Sequence, residues 1–477
     1  MFELIAVILY FSVVLVIGII SYSRRLNASG FIIGNRSLNF YLTAFAAHAS
    51  DMSNWLFMAY PAMIFTVGLN KISIAIGLLI CMYLNWQFIA PKIREATEKS
   101  NSLTFFSYLS THFKDESGAL RMFSALICFV FYTIYISAGL VGLGLLIESL
   151  FHIPYSWAVL ISILIALPYV MIGGYLTLAW IDLFQGLFLM TIIVFVPCFL
   201  MGRIGGWEGI KASAAASNIS LSIFPDLSLT TIIGVLLTML GWGLGYFGQP
   251  TILTKFMGIK NVSEIAKSKY LGMSWMFISL AAATLVGLVG ISFFQGYLNN
   301  PEMVFIDLVK QSFHPFFIGL ILCAVFAASI NVICSQILVI CSSLAEDVYK
   351  RAIRPHASSR EELLVSRLGA LAVAVIAFVI AYYKISSIYS LVLYAWSGLG
   401  AAFGPLLIFS LYSKKTDKRI AWAGMLTGSI ASAVWPWVNS MFGFPIDCII
   451  VGFALSFIAM WIVAFVRTKS TSSAHQG

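Results

Sequence analysis

Apolar residues run through this chain in long blocks, not in the short alternations of a soluble fold. Read with a window of about 19 residues, the blocks fall near 3–22, 41–67, 72–91, 122–147, 157–177, 183–203, 229–250, 271–296, 314–341, 366–385, 388–412, 420–438 and 446–466. Each is long enough to cross a bilayer as a helix, which predicts an all-α polytopic membrane protein of about 13 transmembrane helices. The first block is too long and continuous for a cleaved signal peptide. No composition shift marks a second domain, so residues 1–477 read as one transmembrane unit with a core at 41–412 and a Ser-rich, disordered tail at about 468–477.

Two blocks are broken by polar or Gly-rich sequence. "HASDMSNWLFM" (48–58) places a His, an Asp, two Ser and an Asn inside the second. An Asp at a bilayer centre costs roughly 2.5–3.5 kcal/mol on insertion scales, so Asp51 is a functional candidate by default. "GWGLGYFGQP" (241–250) puts four Gly and a Pro inside the seventh. Gly and Pro destabilise a helix interior by about 1 and 3 kcal/mol, and local unwinding is expected there. Gly-rich helices also serve close helix packing. Paired breaks in corresponding positions, however, are the sequence mark of a transporter's midplane site. Their spacing fits two inverted five-helix repeats, spans 2–6 and 7–11, each opening with a discontinuous helix.

Composition agrees with the pattern: 60% of residues are hydrophobic and 10% charged, against about 25% charged in a soluble domain, and mean hydropathy is +0.96. With the N-terminus outside, 23 of the 28 Lys and Arg fall in inside loops, which predicts N-out, C-in. That asymmetry accounts for the net charge of +9 without nucleic acid. The seven Cys lie within spans and form no CxxC pair, which excludes a disulfide framework. A membrane enzyme is excluded on its chemistry. There is no HExxH, the other His (112, 152, 314, 356, 475) lie in loops, at span edges or in the tail, and Asp51 stands as the one mid-membrane carboxylate. A channel would favour rings of ligands, and none is visible; a sensor would need an output domain, which the sequence lacks, or a partner, which a sequence does not show.

At an unwound helix, backbone carbonyls and Ser hydroxyls can replace the hydration shell of a small cation while an Asp supplies countercharge. In "ASDMS" the carbonyls of Ala49 and Met52, with Asp51 and Ser53, meet this description. Capping of free N–H groups at the break is the structural alternative for Asp51.

"GNRSL", "ASDMSNW", "IAIGL…NW", "GWGLGYFGQP" and "YAWSGLGAAFGP" resemble the sodium:solute symporter family, in order and from about residue 5 to 465, and within it the proline-transporting bacterial members. The resemblance implies a leucine-transporter-like core working by alternating access in the inner membrane, coupling sodium to uptake of proline or a similar small amino acid or osmolyte. It implies sodium ligands at Ala49, Met52, Asp51 and Ala328, and ion coupling through Arg36. For the solute it implies Trp55, Tyr135, Trp242 and Tyr246 with the polar contacts Ser53 and Gln249. Asp182, at the cytoplasmic end of "WID", matches an acidic residue on the family's ion exit path; an interfacial cap is the alternative.

The sequence departs from the family at two places. Where relatives carry two adjacent hydroxyl residues completing the ion site, this chain has Asn331, which can offer one carbonyl oxygen, and Val332, which offers none. Ser329 or Ser335 would have to compensate. His48 stands where a small residue is usual, one turn from Asp51, and a His48–Asp51 pair could exchange protons in place of sodium. Proton coupling, weak ion coupling and a transporter-derived sensor are the alternatives, and the oligomeric state is not legible.

Overall fold

The computed structural model describes residues 1–21, 28–172, 174–443 and 446–473; Arg24, Arg25 and the last four residues of the tail lie outside them. The described residues are helical almost throughout, with two isolated bridges and no strand among them. The helices that matter here are α1 (Phe2–Ser21), α2 (Phe40–Ala49), α3 (Ala59–Val67), α4 (Ile72–Leu84), α5 (Ala119–Phe151), α6 (Tyr155–Ile172), α7 (Tyr175–Met201), α8 (Leu229–Gly243), α9 (Pro250–Met257), α10 (Ile265–Phe293), α11 (Pro315–Ser343), α12 (Ser359–Tyr382), α13 (Ile388–Tyr412), α14 (Lys418–Phe442) and α15 (Cys448–Ser473). Among the described residues, ten helices, some lengthened by a π or 3-10 turn, are long and apolar enough to cross a membrane.

Local chemistry sets the ends. Asn39 caps α2 by accepting from the Leu42 N–H, His314 with Pro315 opens α11, and a Ser358–Glu361 capping box opens α12. Gly118 and His152, both left-handed, bracket α5. Large apolar side chains such as Ile19, Leu164, Phe277, Leu364 and Ile458 point outward and exposed, the surface a lipid environment covers. All seven Cys are free.

The bundle packs so that the two breaks face its interior. Helix α7 lies against α1, α2, α10 and α11; α5 lies against α6, α11, α12 and α13; α8 lies against α4. Three boundaries differ from the sequence expectation. Helix α7 starts at Tyr175 instead of near 183, because Gly174 turns extended and the aromatic-apolar stretch after it joins the helix. The seventh span does not end at 250: Pro250 opens a second half-helix, α9, that carries Lys255. Helix α15 continues to Ser473, into the stretch expected to be a tail.

Candidate functional site

Both predicted breaks are present. Helix α2 stops at Ala49, and the Asp51 and Met52 N–H groups both return to the His48 carbonyl. The Ser53 N–H turns to Asp51 O instead of reaching Ala49 O, where a continuing helix would send it. A 3-10 turn, Asn54–Leu56, is capped by the Ser53 hydroxyl accepting from the Trp55 N–H at 3.2 Å. Asn54 is seated on Gly142 of α5 and donates to the carbonyls of Ala138 and Gly139 at 3.4 and 3.3 Å.

In the second break, α8 gives way to a 3-10 turn, Leu244–Gly248, then extended Gln249 and α9. Its freed backbone groups are met by side chains. Asn85, on the π-turn Asn85–Ile89, donates to Tyr246 O at 3.0 Å. Trp396 donates to Trp242 O at 2.9 Å, and the Tyr132 hydroxyl accepts from the Thr251 N–H at 3.1 Å. Gly248 has no room for a side chain against the α13 backbone at Leu399 and Gly400. Satisfying such groups inside the protein is what permits irregular backbone at membrane depth.

A small cavity of about 20 Å³ opens between the breaks, bounded by Asp51, Trp55, Tyr135, Trp242, Tyr246 and Trp396. The Tyr246 hydroxyl donates to Asp51 Oδ2 at 2.7 Å. The Trp55 and Trp242 rings pack 5.0 Å apart at 38°, and Tyr246 meets Trp396 edge-on at 5.0 Å. Trp242 also donates to the Tyr389 hydroxyl at 3.3 Å. An aromatic box with one carboxylate suits a small solute with an apolar body and a cationic group.

Of the residues singled out by sequence, Asp51, Met52, Trp55, Tyr135, Trp242 and Tyr246 converge on this cavity. Ser53 and Gln249 hold backbone instead: Ser53 caps the turn, and the Gln249 amide donates to Trp396 O at 3.3 Å. Ala49 sits at the break against Gly186 of α7. Ala328, Asn331 and Val332 are buried on α11, which touches both α2 and the 3-10 turn. Ser329 donates to Val325 O at 2.9 Å and has spent its proton inside the helix, whereas the Ser335 hydroxyl has no protein partner among the described residues. Arg36 forks onto Met257 O at 2.9 Å, Thr97 O at 3.0 Å and Ser102 O at 2.9 Å, clamping the end of α9 to the last turn of the helix Ala90–Lys99 and to the residues just after it.

Two expectations are corrected. The His48–Asp51 pair does not form: fully buried His48 accepts from the Trp86 indole at its Nε2, 3.1 Å away, and lies between Trp86 and Trp275 against Gly272. Ending the helix at Ala49 sends the next side chains to different neighbours. Nor is Asp182 an interfacial cap. With α7 starting early it is fully buried two turns inside, 3.0 Å from the Lys255 ammonium. Sequence reasoning passed over Trp396, although "YAWSGLG" was in view, and counted Lys255 as a loop charge. Its apolar flank, "TILTKFM" after Pro250, was the available signal.

The Sodium:solute symporter family profile matches residues 31–428. The high-affinity proline transporter PutP of Bacillus subtilis (strain 168) is 37% identical over 464 residues, covering 96% of this chain and 97% of that protein. The sodium/proline symporter 2 of Staphylococcus saprophyticus is 38% identical over 483 residues, covering 98% and 93%. Among solved structures, a Na+-coupled sialic acid symporter in a substrate-bound outward-open state superposes with a TM-score of 0.81 at 18% identity over 98% of each chain. The nucleobase-cation-symport-1 transporter MHP1, closed with bromovinylhydantoin bound, gives 0.59 at 13% identity, covering 93% and 96%.

Proposed function

The chain belongs to the sodium:solute symporter family, and from that premise we propose that it is a sodium/proline symporter working by alternating access. The single observation that carries the solute half is the aromatic cavity between the two helix breaks, with the Asp51 carboxylate on its wall. Its rings suit a pyrrolidine, and the carboxylate suits the ring's ammonium. Near-full-length relatives named as proline transporters support the same reading.

For the ion, the proposed ligands are the carbonyls of Ala49, Met52 and Ala328, with Asp51 and Asn331 supplying side-chain oxygens. The finer architecture belongs to the same proposal: about 13 spans, inverted repeats over spans 2–6 and 7–11, an inner-membrane location, N-terminus outside and C-terminus in the cytoplasm. A proton-coupled alternative would need His48 as its base, and the imidazole's Nε2 is already occupied as an acceptor from Trp86.

The test is uptake of labelled proline into proteoliposomes holding the full chain, under a sodium gradient alone, a proton gradient alone, or neither. Sodium alone should drive accumulation. Accumulation under protons alone would refute the ion, and no uptake under any gradient would refute the solute.

A further inference from the structure

We infer that Lys255 is a tethered cation for Asp182, and that the transported sodium leaves toward the cytoplasm by displacing it; this rests on the sodium-symport reading above. The two charges lie on different elements. Lys255 is on α9, the second half of a broken helix, and Asp182 is on α7. Their contact is 3.0 Å, with both side chains at most 3% exposed. A buried pair is costly to form and more costly to leave half-made, so α9 cannot move away from α7 without another cation taking the place of Lys255. Alternating access is largely the rocking or gating of one helix bundle against another around a site built at such broken helices.

The surroundings suit a passing cation. Asp182 Oδ1 has no protein partner among the described residues, and neither does the amide of Gln185, one turn further along α7, nor Ser335 Oγ on α11. Asn331 lies beside the Asp182 carboxylate, but its Nδ2 makes no hydrogen bond of normal geometry. All four side chains are buried, at 3% exposure or less. Gln185 adjoins Gly186, which touches Ala49 at the first break. Buried polar atoms are rarely left unbonded, and here they form a seam from the first break along the α7–α11 contact. At its other end is a small cavity of about 20 Å³ bordered by Lys255 and the hydroxyls of Thr104, Thr251, Thr254, Ser335 and Ser342. The ammonium thus stands between the carboxylate and the cavity, on a flexible four-carbon stem that can swing aside. Two cations 3 Å from one carboxylate repel each other, so sodium and Lys255 compete for Asp182.

The test uses the full chain in proteoliposomes and reads sodium half-saturation, maximal rate and proline exchange at equal sodium on both sides. Lys255→Met should lower sodium half-saturation, by roughly 5- to 150-fold if the competition has the usual size of a coupling between sites. It should slow net uptake more than exchange, because sodium is retained. Lys255→Gln, which keeps a donor to Asp182 without the charge, should shift sodium in the same direction and guards against misfolding of the apolar variant. Asp182→Asn should shift sodium half-saturation upward, since an unpaired ammonium then faces the seam. Opposite signs for the two positions are the signature. Shifts of the same sign, or none, in variants that still bind proline would mean that the pair only holds the fold. A wild-type chain with no sodium-driven proline uptake would overturn this inference together with the function it rests on, whereas wild-type uptake with same-sign shifts overturns the inference alone.

Discussion

Restoring the hydroxyls that this chain lacks should tighten sodium, and the size of the gain follows from where Asn331 and Val332 sit. Both are buried on α11, at 3% and 2% exposure, on the helix that touches the first break. Val332→Thr is nearly isosteric and adds one oxygen. A hydrogen bond to a charged group is worth about 1.5–3 kcal/mol; one ion–hydroxyl contact of that size corresponds to roughly 10- to 140-fold in half-saturation. Part of this is lost, because a hydroxyl in a helix bonds back to the carbonyl four residues earlier. Here that carbonyl belongs to Ala328, itself a proposed ligand. The lower end, about tenfold, is therefore the expectation for Val332→Thr alone. Asn331→Ser exchanges an amide oxygen for a hydroxyl and takes the amide away from Asp182, so the double variant keeps two side-chain oxygens on α11 and should be at least as tight as Val332→Thr. The assay is the sodium dependence of labelled-proline uptake in proteoliposomes, with thermal unfolding as a control for the buried hydroxyl, which can cost about 1–3 kcal/mol of stability. If half-saturation stays within about threefold of wild type, against the tenfold expected for a working contact, while proline binding is intact, the ion is not held at these α11 positions and the site assignment fails.

Tyr246→Phe removes the 2.7 Å bond to Asp51 and leaves a buried carboxylate without its donor. The loss of about 1.5–3 kcal/mol should weaken proline half-saturation at least tenfold, checked in the same uptake assay. Arg36→Lys replaces a planar fork that reaches three carbonyls with a point charge. It should lower the maximal rate of uptake more than it changes proline half-saturation, because none of the clamp's residues borders the cavity. Glu302, in the loop before Val304–Ser312, accepts from the N–H groups of Ile388 and Tyr389 at the start of α13. Burial nevertheless pushes its carboxyl above its ordinary range. A raised value means that the folded loop binds the proton more tightly than the unfolded chain does. Its contribution to stability is complete below the ordinary carboxyl range and is lost as pH rises through the raised value. Thermal unfolding of purified protein should therefore fall over that interval, and Glu302→Gln should flatten the fall.

How much of this was legible in the sequence depends on the length scale of each signal. The breaks at 48–58 and 241–250 were visible because polar and Gly-rich residues interrupt blocks that hydropathy otherwise makes uniform. Trp55, Tyr135, Trp242 and Tyr246 come from the family resemblance; three of them lie inside the breaks, and Tyr135 lies on α5. The half-helix α9 was not visible: it has eight residues, and a window of about 19 residues averages it into the loop beyond. The same averaging counted Lys255 as a cytoplasmic charge and placed Asp182 at a helix end. His48 failed for another reason. Helical periodicity puts it one turn from Asp51, but the helix ends between them, and past a helix end the turn geometry decides where a side chain goes. Trp396 lies in a regular helix and became part of the site only because Gly245 lets its indole approach the second break, a contact between segments far apart in sequence.

Two of the buried carboxylates, Asp51 and Asp182, suggest why a cation must travel with the solute. Asp182 is balanced within the protein by Lys255. The partner of Asp51 at the cavity is a neutral phenol, and His48, the nearest basic side chain in sequence, is turned to Trp86. A charged carboxylate in a membrane interior without a counter-charge is costly. A zwitterionic solute brings an ammonium for that carboxylate, but its own carboxylate arrives with it, so the net charge of the loaded cavity does not change. On the proposed reading only an accompanying sodium ion removes the imbalance. The loaded carrier is then electrically tolerable with both ligands and not with the solute alone. On that same proposed reading, obligate coupling follows from the uncompensated Asp51 charge at the first helix break, and Asp51→Asn should uncouple the two by removing that demand: residual proline exchange should lose its dependence on sodium, and exchange that still rises with sodium would refute the argument.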